Sequence, residues 1–162
     1  MMQVTFQGNP LTLEGTQLKV GDKMPSFTVI NNGLEAVSSA DLKGTRVFLT
    51  VPSLDTPVCD TEVRRFNQEA TNLEGVHVYT ISLDLPFAQA RWCGAAGIEK
   101  VQTLSDYQTR EFGHATGTFI KELALLTRAV IVVNENDEVT YVEYLSEITN
   151  EPNYEAALAS LK

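Results

Sequence analysis

The strongest constraint on the fold is a strand-to-helix unit at residues 46–66, which reads RVFLTVPSLDTPVCDTEVRRF. Its first six residues are apolar enough to predict a strand that is covered on both faces. After a polar turn, apolar residues recur at spacings of three, four and three, at Val63, Phe66, Ala70 and Leu73. This spacing predicts one buried face of a helix. A buried strand that leads into an amphipathic helix is typical of α/β proteins.

Further strands and helices are predicted on both sides of this unit. An N-terminal hairpin is expected in VTFQGNPLTLEG, with its turn at Gly8-Asn9-Pro10. Strands are expected at 27–31, 76–82 and about 101–104, and helices at 86–97, about 108–115 and 153–161. RAVIVV and EVTYVEYL flank a turn at 134–137 and predict a second hairpin. The order predicts a thioredoxin-like α/β fold, with a mixed central sheet flanked by helices and an added N-terminal β-hairpin.

Length, composition and charge narrow the functional classes. The chain has 162 residues, 43% of them apolar, which predicts one globular, soluble domain over residues 1–162. A net charge of −9 disfavours nucleic acid and anionic membranes as partners. No apolar run approaches the ~18 residues of a membrane span, and no secretory signal is visible at the start of the chain. The sequence therefore predicts a cytoplasmic protein.

Cys59 stands where the helix is expected to begin. Thr56 suits the N-cap position and Pro57 the first helical position, so Cys59 would lie in the first turn. Unpaired amides and the helix dipole favour a negatively charged sulfur there. We also expect the Thr56 hydroxyl to reach toward the sulfur or toward a bound oxygen atom. The alternative is that Cys59 is a small buried hydrophobic residue, which is the common role of an isolated cysteine.

The charges near Cys59 leave one question open. The acidic residues of the same turn, Asp55, Asp60 and Glu62, oppose a thiolate and require a nearby cation. Arg64 and Arg65 fall on the solvent side of the helix stripe. Arg128 opens the strand RAVIVV and can project over the end of the sheet, so it is the preferred candidate, on grounds of topology rather than spacing.

Several segments resemble a known family. Pro52, Thr56 and Cys59 reproduce the Pro-x-x-x-Thr-x-x-Cys signature of peroxiredoxins. LPFAQARWCGAAGI, TRAVIVVNENDEVTYVEYLSEITNEPNYEAAL and the N-terminal VTFQGNPLTLEG resemble the bacterial thiol peroxidase subfamily over nearly the whole chain. The chain is therefore similar to peroxiredoxins in its cysteine signature and in the segments around it.

The resemblance implies roles for particular residues. Cys59 would be the peroxidatic cysteine that attacks a hydroperoxide, and Cys93 the resolving cysteine that forms an intrachain disulfide with it. Thr56 and Arg128 would hold the thiolate and polarise the O–O bond, and Pro52 would shield the pocket. Such enzymes are typically homodimers that thioredoxin reduces, and this subfamily tends to prefer organic hydroperoxides. No cofactor or metal is implied.

Other functional candidates are weaker. His77 and His114 lack companions at metal-ligand spacing and are expected to be structural or surface residues. Phe87 and Trp92 are expected in the core or an interface, with a wall for a bulky hydroperoxide or a thioredoxin contact as the alternative. A thioredoxin-type oxidoreductase is disfavoured because no Cys-x-x-Cys exists. A catalytically silent scaffold would not need Thr56 and Cys59 together with the other predicted site residues.

The spacing of the two cysteines predicts motion. Parallel strands at 46–51 and 76–82 would start both following helices at one edge of the sheet. Cys93 would then lie ~10 Å along its helix, whereas a disulfide requires Cα atoms within ~7 Å. We therefore expect the first turn at Cys59 and the helix of Cys93, which contains Gly94 and Gly97, to loosen after oxidation.

Overall fold

The computed structural model describes residues 3–70, 73–96 and 101–161. The strands in these ranges are β1 (Gln3–Phe6), β2 (Asn9–Glu14), β3 (Thr28–Ile30), β4 (Ala36–Ser38), β5 (Thr45–Thr50), β6 (Val76–Ser82), β7 (Val101–Ser105), β8 (Phe119–Ile120), β9 (Leu125–Leu126), β10 (Ala129–Val133) and β11 (Val139–Tyr144). The α-helices are α1 (Pro57–Ala70), α2 (Pro86–Ala96), α3 (Glu111–Thr116) and α4 (Tyr154–Ala159), and a short 3-10 helix spans Ser39–Asp41. None of the described helices is long and apolar enough to span a membrane.

A mixed sheet forms the centre of the molecule, with the strand order β11-β10-β5-β6-β7-β3-β4. β5, β6 and β7 are parallel to one another, whereas β10 and β3 pair antiparallel with this group. Because β5 and β6 are parallel, the helices that follow them, α1 and α2, begin at the same edge of the sheet. The predicted mixed α/β arrangement and the parallel pairing of β5 with β6 are confirmed.

Apolar side chains pack on both faces of this sheet. Along β5, Phe48 belongs to one cluster of buried residues, and Val47 and Leu49 belong to another, as alternation along a strand requires. Phe112 of α3 packs into the first cluster. Val63 and Phe66 of α1 pack into the second, so these two residues of the predicted helix stripe are buried as expected. The double coverage explains why the consecutive residues 47–49 at the centre of β5 are all apolar.

The N-terminal hairpin is present, but its turn lies one residue earlier than predicted. Gln7 and Gly8 form the turn, with φ angles of 51° and 84°. Asn9 already pairs with Phe6, and Pro10 pairs with Thr5 in the strands. A two-residue turn with both residues at positive φ matches the twist of paired strands, and this requirement outweighs the turn preference of Asn-Pro.

The main difference at a helix boundary concerns α3, which begins later than the predicted 108–115. Asp106 accepts the backbone amides of Phe112 at 3.1 Å and Gly113 at 2.8 Å. Arg110 adopts a left-handed conformation with φ 58° directly before the helix. These contacts place the first helical residue at Glu111. Burial raises the pKa of Asp106 to about 6, although the two amides oppose this shift.

The strands and the 3-10 helix that the sequence analysis did not predict are all short. β4, β8, β9 and the 3-10 helix contain two or three residues each, too few to produce a period. Leu73 lies beyond the end of α1, and Gly97, expected to weaken α2, lies outside the described residues. β8 and β9 extend the N-terminal hairpin into a second sheet, in the order β1-β2-β8-β9.

Candidate active site

Cys59 is the third residue of α1, and its side chain is completely buried. The helix starts at Pro57, and its first hydrogen bond runs from the amide of Asp60 to the carbonyl of Thr56, at 3.0 Å. Amide groups earlier in the turn have no carbonyl partner within the helix. Together with the helix dipole, they favour negative charge on the sulfur. Cys59 therefore occupies the position in the first turn that the sequence predicted.

Arg128 supplies a cation to the same sulfur. Its Nη2 lies 3.0 Å from Cys59 Sγ, and the side chain is only 2% exposed. Its Nε donates to the carbonyl of Ile148 at 2.8 Å. The antiparallel pairing of Ala129 with Thr50 sets Arg128 just past the end of β5, where the loop to Cys59 begins. The strand register thus explains why a residue 69 positions away in sequence contacts Cys59.

Glu62 is the third member of this buried cluster. Arg128 Nη1 lies 3.2 Å from Glu62 Oε1, and the glutamate side chain is fully buried. Burial raises the pKa of Glu62 to about 7, and the charge of Arg128 only partly opposes this shift. Arg128 is therefore shared between this carboxyl group and Cys59. The same two neighbours raise the pKa of Arg128 against the effect of its own burial, so the guanidinium stays charged.

The other charged residues near the first turn are exposed or make contacts with residues other than Cys59. Asp55 is exposed, and Asp60 accepts hydrogen bonds at 2.9 Å from Arg64 Nε and from the indole of Trp92. The Arg65 guanidinium lies 4.3 Å above the ring of Tyr154. The expected crowding of acidic charge around the sulfur is therefore reduced to Glu62, which faces Arg128.

The loop before α1 is anchored by Asp84, which the sequence analysis did not single out. Its Oδ1 accepts the hydroxyl of Ser53 at 2.7 Å. Its Oδ2 accepts the amide of Leu54 at 2.9 Å and the hydroxyl of Ser82 at 2.7 Å. The hydroxyl of Thr56, expected to reach toward the sulfur, donates instead to the carbonyl of Ser53 at 3.0 Å. Its oxygen retains lone pairs that can accept a hydrogen bond from a ligand.

A cavity of about 290 Å³ lies against Arg128, whereas Cys59, which Arg128 contacts, is buried behind its lining. Two groups of side chains line it: the predicted site residues Pro52, Thr56 and Arg128, and a larger apolar group that includes Phe6, Leu123, Leu125 and Ile148. A water molecule occupies about 30 Å³ in the liquid, so the cavity has far more room than hydrogen peroxide needs. Its walls can accommodate an apolar substituent on a hydroperoxide.

Cys93 lies on α2 and is held by contacts of its own. Its Sγ lies 3.4 Å from Thr103 Oγ1, and Thr103 in turn donates to Asn32 Oδ1 at 3.0 Å. Neither Cys59 nor Cys93 is in a disulfide. The Trp92 hydrogen bond to Asp60 joins α2 to α1. These contacts connect residues far apart in sequence, so no local pattern could have revealed them.

The remaining candidates lie at or near the surface. Phe87 is 69% exposed, and Trp92 is partly buried against the cluster that contains Cys59. His77 and His114 are exposed, as expected. Across residues 3–70, 73–96 and 101–161, no group of three or more His, Cys, Asp or Glu side chains is arranged to hold a metal ion.

Fold and site together define a thiol-based redox protein, with a mixed sheet, a buried thiol at a helix N-terminus and an arginine in contact with it. The family model described as Redoxin matches residues 19–158, and the chain belongs to this family. Thiol peroxidases from Halalkalibacterium halodurans and Bacillus subtilis are each 57% identical to it, over 100% of this chain and 98% of theirs.

A solved structure supports the same assignment. The crystal structure of a peroxiredoxin-like protein from Aquifex aeolicus superposes with a TM-score of 0.93 at 40% identity, covering 99% of this chain and 96% of that one. The resemblance to peroxiredoxins and the thioredoxin-like fold are thereby confirmed. The protein is an oxidoreductase, a thiol-dependent peroxidase of the peroxiredoxin type.

Proposed function

We propose that Cys59 is the peroxidatic cysteine, that Cys93 resolves it through an intrachain disulfide, and that thioredoxin restores both thiols. The observation that carries this proposal is the 3.0 Å contact between Arg128 and the buried sulfur of Cys59 at the start of α1. A thiolate in such a position is the nucleophile that peroxide reduction needs.

In the first step, the Cys59 thiolate attacks one oxygen of the hydroperoxide. An S–O bond forms, the O–O bond breaks, and the alkoxide leaves as an alcohol after it takes up a proton. Arg128 stabilises the thiolate and donates toward the oxygens, where negative charge develops in the transition state. Thr56 offers its hydroxyl oxygen to the protonated peroxide oxygen, and Pro52 shields the sulfur from bulk water. Cys59 is left as a sulfenic acid.

In the second step, the Cys93 thiol attacks the sulfur of the Cys59 sulfenic acid. An S–S bond forms, the S–O bond breaks, and the hydroxyl leaves as water. Cys59 must leave its buried position for this step, and Cys93 must leave Thr103. The dithiol of thioredoxin then reduces the disulfide by thiol–disulfide exchange and becomes oxidised itself.

The shape of the cavity supports organic hydroperoxides as the preferred substrates. Leu125 and Ile148 form apolar walls, and Phe6 and Leu123, which are 39% and 38% exposed, form its rim. An alkyl or aryl group placed there would bury apolar surface that hydrogen peroxide lacks. We infer that bulky hydroperoxides react with higher kcat/KM than hydrogen peroxide.

The wider context of the protein is also a proposal. We propose a single domain over residues 1–162, which works in the cytoplasm as a homodimer. Apolar clusters on both faces of one sheet support the single domain. Leu85 and Phe87, which are 52% and 69% exposed at the start of α2, offer apolar surface for a second subunit.

Thiol titration before and after one equivalent of cumene hydroperoxide tests the mechanism. We expect the rapid loss of two thiols per chain, with a Cys59–Cys93 peptide cross-link in the mass spectrum. Loss of no thiol would indicate a silent scaffold and refute the proposal. If disulfide substrates of thioredoxin oxidise the two thiols but peroxide does not, the protein would instead be a general thiol–disulfide oxidoreductase.

A further inference from the structure

The carboxylate of Glu147 accepts hydrogen bonds from an unusual number of donors. Its Oε1 accepts the Thr5 hydroxyl at 2.8 Å and the Gly8 amide at 2.9 Å. Its Oε2 accepts the Gln7 amide at 3.2 Å, and the amide and hydroxyl of Thr149 at 3.0 and 2.7 Å. These bonds, first among them that of the Thr149 hydroxyl, lower the pKa of Glu147 to about 2, so the group is a carboxylate at neutral pH.

One side of this carboxylate holds the turn of the N-terminal hairpin. Gln7 has a φ of 51°, which is unfavourable for a residue that carries a side chain. Both turn residues donate their amides to Glu147, and this pairing stabilises the tight turn. Phe6 and Gln7 line the cavity over the active site. A backbone bond from the Thr5 amide to the Ser146 carbonyl at 2.7 Å joins β1 to the same segment, and the carboxylate of Glu147 adds the contacts that hold the turn itself.

The other side holds the segment that follows β11. Ile148 and Thr149 line the same cavity, and the amide of Ile148 donates to the carbonyl of Thr5 at 2.9 Å. The carbonyl of Ile148 accepts the Nε of Arg128. Glu147 therefore joins two walls of the cavity, but is not among the residues that line it.

We propose that Glu147 is a positioning residue that determines specificity, because it holds Phe6 and Gln7 against the organic group of a bound hydroperoxide. This inference rests on the proposed peroxidase mechanism at Cys59. The O–O bond reacts at Cys59 and Arg128, whereas Glu147 acts on the part of the lining that Phe6 and Gln7 form. Hydrogen peroxide has no organic group and does not depend on that wall.

The variant Glu147→Gln tests this role. An amide presents one oxygen and one NH₂ group, and in either orientation the NH₂ faces the backbone amide of Gln7 or Gly8. One turn amide therefore loses its acceptor and the wall moves. With dithiothreitol as reductant, we expect kcat/KM for cumene hydroperoxide to fall about tenfold through KM, and kcat/KM for hydrogen peroxide to change by less than about twofold.

A control and a second variant keep the test decisive. Asp22 accepts the amide of Lys19 at 2.8 Å and closes a turn whose residues do not line the cavity, so Asp22→Asn should leave both values unchanged. Thr5→Val removes one hydroxyl donor to Glu147, and we expect it to lower kcat/KM for cumene hydroperoxide by less than Glu147→Gln does. If Glu147→Gln does not fold, the Thr5→Val variant tests the role of Glu147.

The ratio of the two kcat/KM values, relative to wild type, is the deciding quantity. An equal fall for both peroxides would place the effect on Arg128 and overturn the proposal, as would no change for either. A wild type that reacts better with hydrogen peroxide than with cumene hydroperoxide would refute the substrate preference proposed above. The role of Glu147 would still be decided by how the ratio of the two kcat/KM values changes from wild type to variant.

Discussion

Replacement of Arg128 by methionine removes the only cation that contacts Cys59 among the described hydrogen bonds and ion pairs, while it retains most of the apolar length of the side chain. The lost donor is aimed at the site where charge develops, so the rate constant for oxidation of Cys59 should fall about 100- to 1,000-fold. At one fixed pH, alkylation of Cys59 by iodoacetamide should also be slower than in the wild type. Rapid-quench mass spectrometry measures the first quantity, and peptide mapping the second.

The same substitution has a stability consequence that can be worked out from Glu62. In a Cys59→Ser background, no thiol titrates at the cluster. The carbonyl of Ile148 loses its donor, which costs about 1–3 kcal/mol at any pH. In addition, loss of Arg128 removes the main contribution that lowers the pKa of Glu62, so this pKa rises above its present value of about 7.

The sign of the pH dependence follows from proton uptake. A carboxyl whose pKa is raised on folding binds a proton in the folded state, so stability falls as pH rises from the unfolded pKa to the folded pKa. With Arg128 present this fall should level off near pH 7, since the folded pKa of Glu62 is about 7. Without Arg128 it should continue, and each further pH unit costs about 1.4 kcal/mol.

Urea denaturation over a pH series separates the loss of the donor to the Ile148 carbonyl, which is independent of pH, from the titration of Glu62. The free energy of unfolding of the methionine variant, relative to the protein that retains Arg128, should be lower at about pH 8 than below pH 6 by about 1 kcal/mol. Adding Glu62→Gln to both proteins should abolish this difference, because no carboxyl remains to titrate. If the free energies of unfolding of the two proteins changed in parallel above pH 7, Arg128 would not lower the pKa of Glu62. The sharing of Arg128 between Glu62 and Cys59 would then be refuted.

Three further outcomes are expected for the cysteines and their helices. Cys59→Ser should abolish peroxidase turnover, because a serine hydroxyl is not an equivalent nucleophile at neutral pH, and a coupled assay that still shows more than trace activity would contradict its role. Cys93→Ser should complete one turnover and stop at a sulfenic acid that dimedone labels and excess peroxide over-oxidises, whereas absence of labelling would exclude a resolving role. Hydrogen exchange should be faster at residues 56–64 and 86–96 in the oxidised protein than in the reduced one, with the strands unchanged, and equal protection in both states would show that no loosening is needed.

Much of the site could be predicted because its signals are local. Thr56, Pro57 and Cys59 are consecutive or nearly so, and the helix start that they form depends on cap and turn preferences within four residues. Arg128 could be placed by topology, since a residue just before an inner strand projects over the edge of the sheet. The strand register, with Ala129 opposite Thr50, is the physical reason that this placement holds.

The rest of the site could not be predicted because it depends on contacts across the fold. Glu62 precedes a buried residue of the helix stripe and looks like one of several surface acids, yet it is fully buried against Arg128. Asp84 and Glu147 each collect donors from segments more than 25 positions away. A carboxylate of this kind has no neighbours in sequence that distinguish it from a solvated one.

The contacts around the two cysteines bear on the loosening that we expect at the site, next to a rigid sheet. β5 and β10 are buried almost throughout, and opening them would require global unfolding, on the order of 5–15 kcal/mol. Close to the cysteines, the hydrogen bonds between Trp92 and Asp60 and between Cys93 and Thr103 are each worth about 1 kcal/mol, and α2 is held further to the sheet by buried Gln89, which donates to Ser82 and to the carbonyl of Leu104. The proposed mechanism makes the contact of Cys59 with Arg128 a charged one, because the thiolate is the reacting form, and oxidation to the sulfenic acid removes that negative charge. In the proposed mechanism the first chemical step therefore weakens the contact that holds the first turn of α1 in place, and it does so only after peroxide has reacted.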